Sequence, residues 1–174
     1  FLLGELSARN EKRPYFEKGQ RFSETLTKEH PAWPEGHYWL AMNQCGLADL
    51  SGARKGLKMV PEIIVSLEQA LRGNPAYDQA GPHRVLGRIY FECPPWPLSV
   101  GSLPESLRHL SAAVAIAPEN STNRLFLGET LLKMGKKDMA RKELEQVING
   151  TSHPLCPQFL EEDRQAARRL LQDM

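Results

Sequence analysis

The stretch LFLGETLLKMGKKDMARKELEQV, residues 125–147, determines the fold prediction. Large aliphatic residues recur at helical spacing on both sides of Gly135, which predicts two amphipathic helices joined by a tight turn. Gly128 in the first helix and Ala140 in the second are small, so the two helices can approach closely. The stretch therefore predicts a helical hairpin.

Earlier parts of the chain repeat this arrangement, and a proline follows each repeat. The prolines are Pro31, Pro75, Pro118 and, more loosely, Pro154, at intervals of 44, 43 and 36 residues. Proline cannot continue a helix and restricts the residue before it, so each proline predicts a helix end. Tandem helical pairs with regular punctuation are typical of a solenoid, in which each pair packs on the next.

The spacing of small and large residues in these pairs resembles the tetratricopeptide repeat (TPR) family. The best match consists of Leu127, Gly128, Leu131, Gly135, Ala140, Leu144 and Val147. A second match, with extra residues between its helices, consists of Leu86, Gly87, Tyr90, Leu110, Ala113 and Pro118. A third match, with a longer insertion, consists of Leu40, Ala41, Leu67, Ala70 and Pro75.

The resemblance implies an all-α fold, a right-handed α-α superhelix of three to four TPR-like helical hairpins with a C-terminal capping helix. The hairpins are expected at about residues 1–31, 34–75, 81–118 and 121–154, which together form a repeat region over 1–154. The capping helix is expected at residues 157–174. Its acidic residues 161–163 are expected in the first turn, where they complement the helix dipole.

Two segments need a separate interpretation. The β-branched run IIV, residues 63–65, fits a strand or a helix. We predict a helix because Pro61 suits a first helical turn and no partner strand is evident. The segment CPPWPLSVG, residues 93–101, contains too many prolines for a regular helix and predicts an enlarged loop within the middle hairpin.

Composition excludes several classes of protein. Hydrophobic residues make up 41% of the chain and charged residues 25%, which excludes a mainly disordered chain. The net charge of +1 provides no broad basic surface for nucleic acid, and no apolar run reaches the roughly 18 residues that a membrane helix needs. The odd set Cys45, Cys93 and Cys156 excludes a disulfide scaffold but leaves one disulfide open.

The compartment is not determined by these features. A bacterial cytoplasm and a periplasm both tolerate three buried thiols. Because the numbering begins at Phe1 rather than at a methionine, we interpret the chain as processed or truncated, with any signal or lipid anchor lying upstream.

The sequence predicts no enzyme, no cofactor and no metal. It contains no GxGxxG, GxxxxGK[ST], GxSxG or HExxH motif. The five histidines are spread over different elements, and helix ends explain them more simply than a metal site. The basic turn at residues 136–142 fits a solvated surface, and Asn120, which matches a glycosylation acceptor, also fits a helix N-cap.

A partner-binding groove is implied by the resemblance alone, since first helices of successive TPR hairpins line the concave face. The positions expected to face the groove are Glu35, Tyr38, Met42, Arg84, Arg88, Phe91, Leu125, Glu129 and Leu132. Arg84 and Arg88 lie one helical turn apart, and both could reach one anion. In the alternative interpretation, Arg88 pairs with Glu92, and Arg84 pairs with Glu35 or Glu129.

Trp96, between prolines in the enlarged loop, is a second candidate contact. Loops longer than a fold requires are often functional, and a restrained aromatic loses little entropy on binding. The alternative is that Trp96 and Leu98 plug one edge of the solenoid.

These features favour a non-catalytic scaffold or adaptor that binds a protein or peptide partner and no nucleic acid. The alternative is a periplasmic ligand-binding or transport accessory, similar to the TPR-like T components of bacterial TRAP transporters, with an enclosed pore or pocket. An enclosed apolar cavity favours the accessory, whereas an open groove favours the adaptor. The first helix of the hairpin at residues 1–31 is expected to be shortened by the start of the chain. A homo-oligomer is a further expectation, because this shortened hairpin leaves an apolar face uncovered.

Overall fold

The computed structural model describes residues 1–9, 11–150 and 157–174. In this part of the chain the secondary-structure elements are all α-helices, and there is no β-strand. Its helices are α1 (Leu2–Leu6), α2 (Lys12–Glu29), α3 (Pro34–Leu50), α4 (Ala53–Gly73), α5 (Tyr77–Glu92), α6 (Leu103–Ile116), α7 (Ser121–Lys133), α8 (Lys137–Asn149) and α9 (Pro157–Gln172). None of the helices described is long and apolar enough to cross a membrane.

Prolines end three of the helices where the sequence predicts it. The C-caps of α2, α4 and α6 are His30, Asn74 and Ala117, and each directly precedes a proline. Each cap amide donates to the carbonyl four residues earlier, which completes the last turn before the helix stops. The fourth expected stop, at Pro154, lies outside the described residues.

Helix α4 confirms the helical prediction for residues 63–65 but corrects the position of Pro61. The helix begins two turns earlier than predicted, so Pro61 lies inside it rather than in its first turn. The start is fixed by Gly52, whose φ of 78° is a conformation that side-chain-bearing residues rarely adopt. The sequence analysis missed this start because it took Pro61 as a residue of the first helical turn.

The chain divides into two compact units, Phe1–Tyr77 and Asp78–Met174. In unit 1, α2 packs against α1 and α3, and α3 packs against α4. Its buried hydrophobic side chains are Phe16, Tyr38, Ala41, Leu47, Val60, Ile63, Leu67 and Ala70. The expected division into hairpins at residues 1–31, 34–75, 81–118 and 121–154 stays a prediction.

In unit 2, α7 packs against α6, α8 and α9, and α8 packs against α9. Two clusters form the apolar core around α7. One consists of Leu110, Leu127, Leu131 and Ala140, and the other of Leu125, Leu144, Val147 and Ala167. Helix α9 contributes Ala167 to the second cluster and packs against α7 and α8. The expected capping role of residues 157–174 stays a prediction.

Two glycines allow close contacts between helices in unit 2, as the small-to-large pattern predicts. A Cβ atom on Gly87 would lie 2.5 Å from Leu110 Cγ, and one on Gly128 would lie 2.8 Å from Leu144 Cδ2. Both leucines are fully buried. Each glycine therefore accepts the leucine of the partner helix into the space of its missing side chain.

The acidic segment of α9 differs from the expectation. Residues 161–163 lie in the second turn, because the helix begins at Pro157. Asp163 is buried and accepts hydrogen bonds from Ser121 Oγ at 2.6 Å and Thr122 Oγ1 at 2.8 Å. Its carboxylate thus lies at the start of α7, where the helix dipole favours negative charge, rather than in solvent.

Candidate partner-binding face on helices α5 and α7

Arg88 on α5 is the centre of a cluster of charged and aromatic side chains. Its guanidinium Cζ lies 5.0 Å from the ring centroid of Phe91 and 4.5 Å from that of Phe126 on α7. The same guanidinium forms ion pairs with Glu92 and Glu129. The pair with Glu92 joins residues one turn apart, whereas the pair with Glu129 ties α5 to α7.

Lys133, at the end of α7, extends this cluster. Its Nζ lies 4.2 Å from the Phe91 ring centroid and donates a hydrogen bond to the Phe91 carbonyl oxygen at 3.3 Å. We call Arg88, Phe91, Glu92, Phe126, Glu129 and Lys133 the Arg88 cluster. The cluster thus combines two cations and two carboxylates with two aromatic rings and offers both apolar area and charge.

Three of the residues predicted for a groove meet in this cluster, namely Arg88, Phe91 and Glu129. The expected pair between Arg88 and Glu92 is confirmed. Phe126 and Lys133 were missed by sequence reasoning. Their spacing from Glu129 places all three on one helical stripe of α7, which is the signal that identifies them.

Arg84 forms an ion pair that the sequence analysis did not expect. Its Nη2 forms an ion pair with Asp78 Oδ2 at 2.8 Å. Its Nη1 donates to the carbonyl oxygens of Asp78 and Gln79 and to Asn123 Oδ1. Arg84 therefore holds the start of α5 rather than an open binding surface.

The start of α5 explains why an arginine is needed there. Asp78, Gln79 and Ala80 have φ values of 47°, 55° and 63°, in the left-handed region that residues with side chains disfavour. Asn123 Nδ2 adds a hydrogen bond to the Gln79 carbonyl at 3.1 Å. The hydrogen bonds from Arg84 and Asn123 offset the strain, and regular helix follows from residue 81.

Two leucines predicted for the groove lie in the interior of unit 2. Leu125 is only 5% exposed and packs with Leu144, Val147 and Ala167. Leu132 is half-buried against both core clusters. The prediction is wrong for Leu125, because α9 covers that side of α7, and the groove pattern taken from the family does not allow for this helix.

The three groove positions predicted in unit 1 also differ in exposure. Tyr38 is 1% exposed, with its ring edge-on to Trp39 and Tyr77 at centroid distances of 5.2 and 5.3 Å, so it is a core residue rather than a groove residue. Glu35 and Met42 are half-buried. Trp39 is partly exposed beside them and donates from Nε1 to Tyr77 Oη at 2.9 Å.

Trp96 lies in the loop between α5 and α6, as predicted, but it plugs no edge of the fold. Trp96 is 85% exposed and Leu98 is 77% exposed. The loop itself is closed by backbone hydrogen bonds from Gly101 to Pro94 at 2.9 Å and from Ser102 to Tyr90 at 2.8 Å. A closed loop that leaves two large apolar side chains in solvent is a second candidate contact surface.

Two histidines that the sequence analysis treated as unrelated meet between α5 and α6. His83 Nδ1 lies 2.9 Å from His109 Nδ1, and Arg108 Nη2 lies 2.8 Å from His109 Nε2. Since arginine only donates, His109 Nε2 accepts, its Nδ1 carries the proton, and that proton is donated to His83. The described residues contain no group of three or more metal-ligating side chains.

Burial and charge keep both histidines neutral. Desolvation, the nearby Arg108 guanidinium and His83 lower the pKa of His109 to about 4. Burial, followed by the Arg108 charge, also lowers the pKa of His83. The pair is therefore a hydrogen-bonded link between helices at neutral pH.

Other sequence candidates have structural roles or lie on the surface. Asn120 is buried, caps α7 by accepting from the Asn123 amide and donates to Gln79 Oε1, so it is no glycosylation site. Lys136, Lys137, Arg141 and Lys142 are exposed, as predicted. Cys45 and Cys93 are not joined in a disulfide, and Cys156 lies outside the described residues.

Comparison with known proteins identifies the fold. The structure matches the crystal structure of a thermophilic TPR protein from Thermus thermophilus with a TM-score of 0.68 and 20% sequence identity, over 90% of this chain and 74% of that chain. No protein-family model and no curated protein matches the chain. The TPR-like helical-repeat fold predicted from the sequence is thus confirmed, whereas the resemblance to TRAP transporter components stays a prediction.

Proposed function

We propose that the chain is a non-catalytic interaction module that binds a segment of a protein partner on the α5–α7 face of unit 2. The observation that carries the proposal is the Arg88 cluster, in which a guanidinium is held between two aromatic rings at a half-exposed position. Aromatic residues and arginine dominate the binding energy of protein interfaces. The TPR-like fold of the chain supports the same class of function.

The two carboxylates around Arg88 have different roles in this proposal. Glu129 is 23% exposed and joins two helices, so it fixes the guanidinium in place. Glu92 is 56% exposed and lies on the same helix, and exposed pairs of this kind contribute only about 0.3–0.5 kcal/mol. An acidic side chain of a partner can therefore replace Glu92 at little cost.

The rings provide the second part of the recognition. Phe91 and Phe126 are half-buried, which leaves apolar area next to the arginine. Lys133 adds a second cation at Phe91. The partner segment is therefore expected to combine an apolar or aromatic side chain with a nearby carboxylate.

The open character of one groove in unit 2 supports an adaptor over an accessory with an enclosed pocket. A cavity of about 400 Å³ in unit 2 is a surface groove lined by α6, α7 and α8, including Leu107, Val114 and Met139. Met139 on its rim is exposed. A pore or pocket for a small ligand needs a largely enclosed space, so this groove fits a macromolecular contact better.

A peptide library tests the proposal directly. Random peptides displayed on phage are selected on the chain, and the selected peptides are then measured by isothermal titration against Phe91→Ala and Arg88→Ala. We expect enrichment of an acidic-plus-apolar motif and at least about a tenfold loss of affinity for each variant.

The control is Arg13→Ala in unit 1, which removes an arginine from an exposed i,i+4 pair with Glu17. This pair has the same spacing as that of Arg88 with Glu92, so Arg13→Ala should leave peptide affinity unchanged. Selected peptides that bind all three variants equally well would disprove the assignment to the α5–α7 face.

A further inference from the structure

Unit 2 carries two uncovered apolar features that are not part of the Arg88 cluster. The first is the tip of the α5–α6 loop, which we call the Trp96 knob and which consists of Trp96 and Leu98. The second is the surface groove of about 400 Å³ between α6, α7 and α8, which we call the α6–α8 groove. The two features have opposite shapes, one convex and one concave.

The Trp96 knob is held in a fixed conformation. Gly101 N donates to Pro94 O at 2.9 Å, Leu98 N donates to Pro95 O at 3.1 Å, and three prolines restrict the backbone. Gly101 is required at this closure, since a Cβ there would lie 2.0 Å from the Cys93 carbonyl oxygen. A preorganised knob loses little conformational entropy when it becomes buried.

The surroundings of the knob favour an uncharged contact. Residues 93–104 contain no Asp, Glu, Lys or Arg. Burying the tip therefore desolvates no charge of the loop itself, whereas the exposed tryptophan and leucine gain by leaving water. The same lack of basic residues argues against an anionic lipid surface as the occupant.

The α6–α8 groove has the matching chemistry. Most of its lining is apolar, and Ser111, Lys142 and Glu143 also line it. The apolar lining residues are Leu107, Val114, Ala115, Leu127, Leu131 and Met139. Its volume of about 400 Å³ lies within the range of about 300–1,000 Å³ found for concave binding sites. The groove is thus concave and mainly apolar, whereas the knob is convex and apolar.

We propose that the α6–α8 groove binds the Trp96 knob of a second copy of this chain. Each copy has one knob and one groove at different places, so the contact is heterologous and links copies head to tail. A buried tryptophan contributes only about 150–250 Å², well below the roughly 1,200–2,000 Å² of a stable interface. The association is therefore weak and concentration-dependent.

Sedimentation equilibrium of the chain tests the proposal, from about 1 μM to about 1 mM, the range in which small interfaces associate. The wild-type chain is expected to exceed its monomer mass of 19.6 kDa as concentration rises. A knob variant, Trp96→Ala with Leu98→Ser, and a groove variant, Ala115→Lys, should each stay monomeric. Both changes are at exposed positions, so folding is preserved, and circular dichroism verifies it.

Mixing the two variants gives the sharpest test. The knob variant keeps its groove and the groove variant keeps its knob, so an equimolar mixture has one productive contact and should stop at a dimer. Trp33→Ala, which removes another exposed tryptophan, should associate like the wild type. A wild-type chain that is monomeric throughout, or a mixture that forms no dimer, overturns the proposal.

Discussion

The helix pairs α5–α6 and α7–α8 share one packing rule but differ in their polar side-chain contacts and in the connection between their helices. In each, a glycine of the first helix receives a buried leucine of the second, Gly87 with Leu110 and Gly128 with Leu144. The α7–α8 contact combines apolar clusters with an ion pair between Arg124 and Glu143, and its turn is short, with Gly135 at a φ of 74°. The α5–α6 contact contains the His83–His109 pair and is joined by the longer Trp96 loop.

The starts of the two pairs differ as well. Helix α7 begins with an ordinary N-cap, in which the Asn120 side chain accepts from the Asn123 amide. Helix α5 begins with three left-handed residues that Arg84 and Asn123 hold in place. Strained residues of this kind cost of order 1–3 kcal/mol each and persist only where the surroundings hold them.

The difference teaches that the glycine–leucine contact sets the distance between helices and leaves the rest of the contact surface free to vary. The pair with the strained start carries the Trp96 knob and, on α5, half of the Arg88 cluster, while α7 carries the other half. The α7–α8 pair supplies the rigid core against which these surfaces are held. Three changes to the chain test this division of roles.

The largest effect is expected from Gly87→Leu compared with Gly128→Leu. At Gly87 the nearest atom is the branched Cγ of Leu110, whereas at Gly128 it is a terminal methyl of Leu144, which moves more easily. Overpacking costs about 1–3 kcal/mol, and we expect Gly87→Leu near the upper end and Gly128→Leu near the lower end. Urea unfolding measures the free energy of unfolding of both variants. If both variants lose the same stability, or almost none, the contacts are looser than the structure indicates.

The glycine–leucine contacts between helices are also the part of the fold that the sequence predicts best. Glycine, alanine and leucine at fixed spacing, with a proline at each helix end, are local signals whose meaning depends on sterics alone. The C-caps at His30, Asn74 and Ala117 were therefore placed correctly. The early start of α4 was not predicted from the sequence, because it depends on Gly52 rather than on a hydrophobic period.

The candidate site was predicted less completely, because side-chain pairing depends on three-dimensional neighbours. Arg84 and Arg88 look equivalent in sequence, one turn apart, yet one holds the left-handed residues and the other lies between two rings. Leu125 matched the family's groove position but is covered by α9. A hydrophobic period of 3.6 residues predicts which face of a helix a residue lies on. It does not predict which later helix covers that face.

The second prediction concerns how stability depends on pH through the His83–His109 pair between α5 and α6. The pKa of His109 is lowered to about 4, below its value of 6.5 in the unfolded chain, so the unfolded state binds more protons between these values. The free energy of unfolding is therefore not reduced by His109 above about pH 6.5, and it falls as the pH is lowered towards 4. Between pH 7 and pH 5.5 the loss should be about 1 kcal/mol.

The groups facing His109 determine the control for this prediction. His83, Tyr90, Arg108 and Glu105 surround it, and the pKa of Glu105 is lowered by its hydrogen bond with Arg108, so this carboxyl stays ionised in the same pH range. In His109→Gln, which keeps a neutral hydrogen-bonding side chain, the difference in unfolding free energy between pH 7 and pH 5.5 should shrink. An unchanged difference would assign the acid sensitivity to other groups.

The smallest effect on stability, and the most informative for function, is expected from Glu92→Gln compared with Glu143→Gln. Glu92 pairs with Arg88 in the α5–α6 pair, and Glu143 pairs with Arg124 across α7–α8. Glu92→Gln removes an exposed i,i+4 pair and should change the free energy of unfolding by less than about 0.5 kcal/mol. Arg88 stays in place because Glu129 still binds it.

If Glu92 competes with the carboxylate of a partner, its neutral form frees Arg88 and strengthens binding. Peptides selected on the wild-type chain should then bind Glu92→Gln about two- to fivefold more tightly in isothermal titration, the gain expected from removing one exposed competing charge. Glu143→Gln frees Arg124, which still donates to the Pro118 carbonyl, and should leave affinity unchanged. Equal binding by both variants would mean that Arg88 stabilises the α5–α7 contact without receiving a partner's carboxylate, and the difference between the two helix pairs would then be structural alone.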